Sequence, residues 1–316
     1  MQKLLAPAAL VILYVLFSIL GKSFFTVDTF KNILESSYYI GFMAFGVTFI
    51  IITGGIDLSL GTVMMCAALL GGYVFKVHNW PLILAVILTI IVGICFGLLN
   101  GTLVAKLKLP PFIATLGSMM MSQGIGSIIT KVQSQTWPIA TADRGAWFKK
   151  VFIRYGNFPV GALWLAAFFI IAALILHKSK FGRYVYAIGS NEEAARLSGI
   201  KTDNWKVAVY ALSGFFVGMA GLFYAAAYTT ITPGTGNGQE MNGITGAVIG
   251  GVSMAGGSGS MVGTMIGVFI MSVLKNGLAS CGLQAPWQTF FTGLVVILAV
   301  LLDNYRTRAA NRVKKS

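Results

Sequence analysis

The sequence predicts an all-α polytopic membrane protein of about ten transmembrane helices. Three observations carry that reading. Hydrophobic residues fill 56% of the 316 positions and charged ones only 10%, and the mean hydropathy is +0.80, far from the balance of a soluble domain. Apolar runs recur from end to end, many with the roughly 20 residues that a helix needs to cross the hydrocarbon core. The net charge of +14 is gathered between and after those runs. Lys106 and Lys108 form one group, Lys178 to Lys206 another, and Arg306, Arg308, Arg312, Lys314 and Lys315 a third. That distribution orients a membrane protein, because basic loops stay on the cytoplasmic side. It does not describe a nucleic-acid surface.

Taken in order, the runs place spans at 4–21, 36–53, 59–76, 81–105, 111–130, 159–177, 205–228, 241–255, 261–280 and 286–303. The first lacks a small-residue cleavage site after it ("GKSFFTV") and reads as a retained helix, not a signal peptide. The eighth, "NGITGAVIGGVSMAGG", is short and Gly-rich, as a broken or re-entrant helix would be. Ten spans with a cytoplasmic C-terminal tail put the N-terminus and the basic groups at 106–108 and 178–206 inside as well. Residues 131–158 then fall outside despite Lys131, Arg144, Lys149, Lys150 and Arg154, which predicts a basic outer surface suited to an acidic partner. The whole chain, 1–316, reads as one transmembrane domain with a cytoplasmic segment at about 178–204.

Several chemistries are excluded by what the spans leave over. Cys66, Cys95 and Cys281 lie in or beside apolar runs and suit buried thiols better than disulfides. His78 and His177 have no Cys or carboxylate at ligand spacing, so no metal and no cofactor is expected. No nucleophile–base pair is available for a membrane-embedded enzyme. The chain also lacks the G-x-x-x-x-G-K-[ST] loop that cradles nucleotide phosphates.

Two stretches carry polar chemistry. In "GGIDLSLG" (54–61), Gly54-Gly55 can end one helix, and Asp57 is expected at the N-cap of the next, accepting from the N–H of Ser59 or Leu60. A carboxylate within membrane depth is also a functional candidate by default, so Asp57, Ser59, Asn100 and Thr115 stand as cap or pathway candidates. Thr48, Ser118, Ser122 and Thr245 are further hydroxyls within spans, although such groups often bond their own helix. The stretch "GGSGSMVGTM" (256–265) echoes "GGIDLSLGTV" (54–63), with Gly259 where Asp57 stands and Ser260 beside it. The echo reads either as a parallel internal repeat or as a chance match of Gly-rich sequence.

The second stretch, "GRYVYAIGSNEEAARLSGI" (182–200), lies between spans six and seven. Ser190-Asn191-Glu192-Glu193 fits a capping box in which Ser190 and Glu193 satisfy each other's backbone N–H groups. The two acids favour the first turn, and Gly199 is placed to end the helix. About two turns result, too few to stand alone. Ala194, Ala195 and Ser198, flanked by Leu197, offer a small face against which another backbone can dock. A solvated turn between spans is the plainer alternative.

"GGIDLSLG", "LPPFIATLG" (109–117), "GRYVYAIGSNEEAARLSGI" and "GGVSMAGGSGSMVGT" (250–264) together resemble the motifs of bacterial ABC-importer permeases for ribose, galactosides and related sugars. The resemblance covers about residues 24 to 303. It implies an inner-membrane permease subunit that pairs with a second copy, a cytoplasmic ABC ATPase and an extracytoplasmic sugar-binding protein, and that passes a sugar without hydrolysing ATP itself. It further implies that Ser190, Asn191, Glu192, Glu193, Ala194, Ala195, Arg196, Leu197, Ser198 and Gly199 form the helix that couples to the ATPase. The competing reading is an ion-coupled secondary transporter. That needs an intramembrane relay, and of nine acids Asp28, Glu35, Asp143, Glu192, Glu193, Asp203 and Asp303 fall in loops or at span ends. Only Asp57 and Glu240 remain, and so few interior charges favour a neutral solute.

Overall fold

The computed structural model describes residues 5–139, 141 and 144–313, so Asp143, Lys314 and Lys315 lie outside the described residues. Thirteen α-helices follow one another among those residues: α1 (Leu5–Leu20), α2 (Val27–Ile52), α3 (Leu60–Lys76), α4 (Leu82–Gly101), α5 (Pro111–Ile129), α6 (Trp147–Phe152), α7 (Val160–Lys178), α8 (Lys180–Ser190), α9 (Glu192–Leu197), α10 (Thr202–Tyr228), α11 (Gln239–Ile249), α12 (Met261–Ser280) and α13 (Ala285–Val313). A π-helical turn, Thr102–Lys106, extends α4. Strands β1 (Gln135–Thr136) and β2 (Thr230–Ile231) pair antiparallel.

Every predicted span corresponds to a helix. Six are long and apolar enough to cross a membrane: α2, α4 with its π turn, α5, α7, α10 and α12. Apolar stretches of α1, α3 and α13 are shorter. The eighth is only 11 residues long, about 16 Å by helical rise, and cannot cross the bilayer by itself.

The turn chemistry is legible at each break. Pro110 and Pro111 start α5, where the missing N–H costs nothing. Gly54, at φ +79°, closes α2. Its N–H donates to Ile51 O at 2.9 Å and that of Gly55 to Ile50 O at 3.1 Å, the paired bonds that satisfy the last carbonyls of a helix.

Helix α2 forms the centre, buried from Ser36 to Ile52. Aromatic rings fill the space around it, with Phe42 stacked on Phe223 at 4.8 Å and edge-on to Phe168 at 5.4 Å. Helices α4 and α10 meet backbone to backbone. A Cβ on Gly93 or Gly97 of α4 would strike the carbonyl of Gly214 or Tyr210, and one on Gly218 of α10 would lie 2.8 Å from Ile90 Cα. Close approach through small residues is how helices associate where lipid gives no hydrophobic drive.

The basic segment expected outside, 131–158, is less free than its charge suggested. Arg144 donates to Asn79 Oδ1 at 2.7 Å and to the carbonyls of Asn79 and Trp80. Arg154 pairs with Glu35 at 3.4 Å. Lys131 and Lys150 are left exposed.

Candidate functional site

Two polar constructions stand out, one at the loop between α7 and α10 and one inside the bundle. In the first, α8 is amphipathic and packs Gly182, Val185 and Ile188 inward. Ser179 caps it by accepting from Gly182 N at 3.2 Å. The Tyr186 hydroxyl donates to Gly259 O at 2.8 Å, and burial raises that phenol above its ordinary range, which keeps it a neutral donor. Helix α9 then turns away.

The cap of α9 is shifted by one residue from the sequence reading. Helix α8 runs through Ser190, which is exposed, so Ser190 is not the N-cap. Asn191 adopts the extended backbone of a cap (φ −161°, ψ 103°) and its Oδ1 accepts from Ala194 N at 2.9 Å. With the register moved, Glu193 does not sit where it can return the bond. Glu192 pairs instead with Lys206 at 2.5 Å and Arg196 at 3.9 Å. Gly199, at φ +85°, ends the helix as expected. Its N–H donates to Arg196 O and that of Ile200 to Ala195 O.

A second correction concerns the face. Ala195 is buried, 5% exposed, whereas Leu197 is 83% exposed. Ala194, Arg196, Ser198 and Gly199 are exposed as well. Ala195 therefore packs against the protein, and Leu197 projects from a short helix fixed at both ends.

The hairpin is joined to the bundle by backbone contact. A Cβ on Gly189, one turn before α9, would collide with Ile52 O at the end of α2 and lie 2.7 Å from Gly257 N. Gly257 N in turn donates to Ile52 O at 2.8 Å. A Cβ on Gly256 would come within 2.9 Å of Gly189 O and 3.1 Å of Gly54 N. Both Gly-Gly pairs of the sequence echo thus meet at the root of this hairpin.

In the second construction, Asp57 is 4% exposed and is not the N-cap. Helix α3 begins later, at Leu60, and Ser59 holds the cap position in a helical conformation without a side-chain cap bond. Asp57 Oδ1 accepts from Ser59 N at 2.8 Å and Ser59 Oγ at 2.6 Å, and its Oδ2 accepts from Asn100 Nδ2 at 3.3 Å. Asn100 also donates to Ser59 Oγ at 2.9 Å, and its Oδ1 accepts from Ser118 Oγ. One turn further, Ser122 Oγ donates to Thr62 Oγ1 at 2.8 Å. This buried ladder ties the broken start of α3 to α4 and α5, and every polar atom it engages is buried. Thr115 is not part of it, because its hydroxyl donates to Pro111 O of its own helix at 2.8 Å. Thr48 reaches across to Thr264 at 2.9 Å, and Thr245 Oγ1 is buried without a partner among the described residues.

Apart from Glu240, sequence reasoning passed over residues 232–240 of "TPGTGNGQEMN" (232–242) as a connection before a short span. They pass the start of α3 through two turns, at 233–234 and 237–238, and enter the first turn of α11, with Gly234, Gly236 and Gly238 all at positive φ. The signal available was a Gly at every second position among polar residues, just before a helix too short to span.

No group of three or more His, Cys, Asp or Glu able to hold a metal occurs among the described residues. The geometry offers a hairpin to dock on and a bundle broken at two helix starts, as membrane carriers are. Residues 29–300 match the family described as the permease component of the branched-chain amino acid transport system.

The chain belongs to that family.

It is also similar over nearly its whole length to curated import permeases. It is 39% identical to the ribose import permease protein of Bacillus subtilis (strain 168), over 97% of this chain and 94% of the relative. Against the ribose import permease protein of Escherichia coli (strain K12) it is 36% identical, over 94% and 92%. Against the fructose import permease protein of Rhizobium meliloti it is 33% identical, over 96% and 87%. No solved structure matches the chain. The permease is thus a multi-pass membrane transport subunit, as its all-α bundle and its relatives agree.

Proposed function

We propose that this permease is the membrane subunit of an ATP-driven ABC importer carrying a neutral sugar. Its 1–316 chain acts as one transmembrane unit, paired with a second copy, and receives the sugar from an extracytoplasmic binding protein at a bacterial inner membrane. ATP hydrolysis belongs to a separate cytoplasmic ATPase. The sugar reading draws on the ribose and fructose named for its relatives. Basic groups at 106–108, 178–206 and 306–315 support cytoplasmic termini.

The observation that carries the reading is α9. It is a six-residue helix, unstable alone, yet capped at both ends, tied down by Glu192–Lys206 and joined through Gly189 to α2 and the 256–257 loop. Such stiffness around an exposed Leu197 suits a part that transmits force from a partner. The partner's groove would take Leu197 as its apolar anchor, with Ala194 and Ser198 allowing close approach.

Leu197→Glu tests this directly. The variant should fold at wild-type yield, because the side chain is exposed, yet retain at least about tenfold less co-purifying ATPase, as loss of a central anchor does. ATP-dependent sugar uptake in proteoliposomes should fall with it. Undiminished ATPase binding by Leu197→Glu, or sugar uptake by the wild type without ATP, would overturn the reading.

A further inference from the structure

The segment 232–242, a non-helical stretch to Gly238 followed by the first turn of α11, sits at an unusual depth for exposed backbone. Its start is fixed beside β1, which Trp137 anchors by donating its ring N–H to Ala68 O at 3.0 Å, in the half of α3 that leads to the outer loop. Its far end lies deeper: Gly61, at the start of α3, abuts Gly236 O, and a Cβ there would lie 2.9 Å from Glu240 N. The depth of that point follows from Thr62, which bonds Ser122. Ser122 stands about three turns along α5 from Pro111, roughly 16 Å from its inner end and 10 Å from its outer one by helical rise. Gly236 to Glu240 therefore lie near the middle of the hydrocarbon layer.

At that depth Thr235, Asn237 and Gly238 are exposed, and Gln239 and Asn242 are partly so. The N–H groups of the exposed Gly234 and Asn237 donate to no group among the described residues. Lipid cannot satisfy such groups, so backbone of this kind is tolerated only against protein or water. The loop is held open from within. Glu240, 5% exposed, accepts from Gly238 N at 3.0 Å through one carboxylate oxygen, while the other is buried with no partner. Its three positive-φ glycines turn the chain here and add no side chains to fill the space.

We infer that residues 232–242 line the water-filled translocation path, and that Thr235, Asn237 and Gln239 offer their hydroxyl and amide groups to a neutral polyhydroxylated solute crossing it. The identity of the solute rests on the importer reading above; the water-filled path does not. Amides and hydroxyls both donate and accept, which suits sugar hydroxyls. The Asp57 ladder is closed to this path, since its members are buried within one chain.

The test places cysteines in a chain whose Cys66, Cys95 and Cys281 are replaced, reconstituted with its ATPase. Asn237→Cys should react with a charged, membrane-impermeant thiosulfonate at least about tenfold faster than Ile170→Cys, which is exposed at a similar depth on α7 but faces lipid. Asn237→Trp should lower sugar uptake severalfold while ATPase co-purification stays at the wild-type level. Equal, slow labelling at both cysteines would overturn the inference, as would spontaneous disulfide linkage of Asn237→Cys between two copies, which would make the segment a dry interface. Wild-type uptake by Asn237→Trp would also overturn it. Fast labelling of Asn237→Cys upholds the aqueous path even in a wild type that takes up no sugar, so the path and the importer reading fail separately.

Discussion

The two halves of the sequence echo use the same glycines to different ends. Gly54 and Gly256 both adopt positive φ, at +79° and +83°, and Gly61-Thr62 and Gly263-Thr264 both open a helix. Each threonine then bonds a hydroxyl on a neighbouring helix, Thr62 to Ser122 at 2.8 Å and Thr264 to Thr48 at 2.9 Å. The helix starts differ. Helix α12 begins near the inner end of α2, capped by Ser260 accepting from Gly263 N at 2.9 Å. Helix α3 begins deeper, with no cap, and Asp57 gathers Ser59 and Asn100 in its place. A start near the surface needs only a hydroxyl; one within the bundle needs a polar hub that also binds its neighbours.

The sharpest break of that comparison is at Asp57. Asp57→Leu leaves Ser59 N, Ser59 Oγ and Asn100 Nδ2 short of an acceptor in a buried site, which costs about 3 kcal/mol or more and should lower both folded yield and transport. Asp57→Asn keeps an oxygen for Ser59 while the Asn100 amide turns over, so it should cost about 1 kcal/mol and retain most transport. Thermal melting in detergent reads the first effect and uptake the second. A well-folded, inactive Asp57→Asn would make the charge, and not the hub, the purpose of the residue.

How far the sequence anticipated this depends on what each residue reports. Each of the ten apolar runs falls on one of the thirteen helices, because membrane burial imposes length and composition together, although only six among the described residues are long and apolar enough to cross by themselves. They also exposed the eighth as too short. Gly54 and Gly199 were readable as helix ends, since positive φ selects glycine locally. The failures were tertiary. Ser190 and Asn191 cap equally well in principle, and Asn191 does so because α8 extends one residue further, with Gly189 seated on Ile52. Ala195 looked like docking surface until packing turned it inward. The expected bond from Ser59 N to Asp57 is there, but Ser59 holds the cap position and Asp57 also binds Asn100, 43 residues away. Residues 232–242 read as a loop because composition carries no record of depth.

At the second helix start the expected loss is smaller. Ser260→Ala removes one cap bond and should cost about 1 kcal/mol, seen as a modest fall in melting temperature with transport intact. A loss as large as that of Asp57→Leu would show that both starts depend on a hub and erase the contrast. The smallest effect tests what the halves share. Thr62→Val and Thr264→Val each delete one buried hydroxyl pair member and should destabilise by similar amounts, about 1 kcal/mol. Melting temperatures that diverge widely would show that the two threonines only look equivalent.

The glycine contact between α4 and α10 bears on motion. Where carbonyl meets Cα with no side chains between, there are no rotamers to exchange and no slack for sliding. Helices joined in that way move as one beam. If α4 and α10 move in the cycle proposed above, they then move together, and the glycine turns at Gly54 and Gly256 are where the backbone can bend. Those turns meet at the root of the α8–α9 hairpin, so under the function proposed above a push on Leu197 would act on the pivot itself and tilt the whole beam.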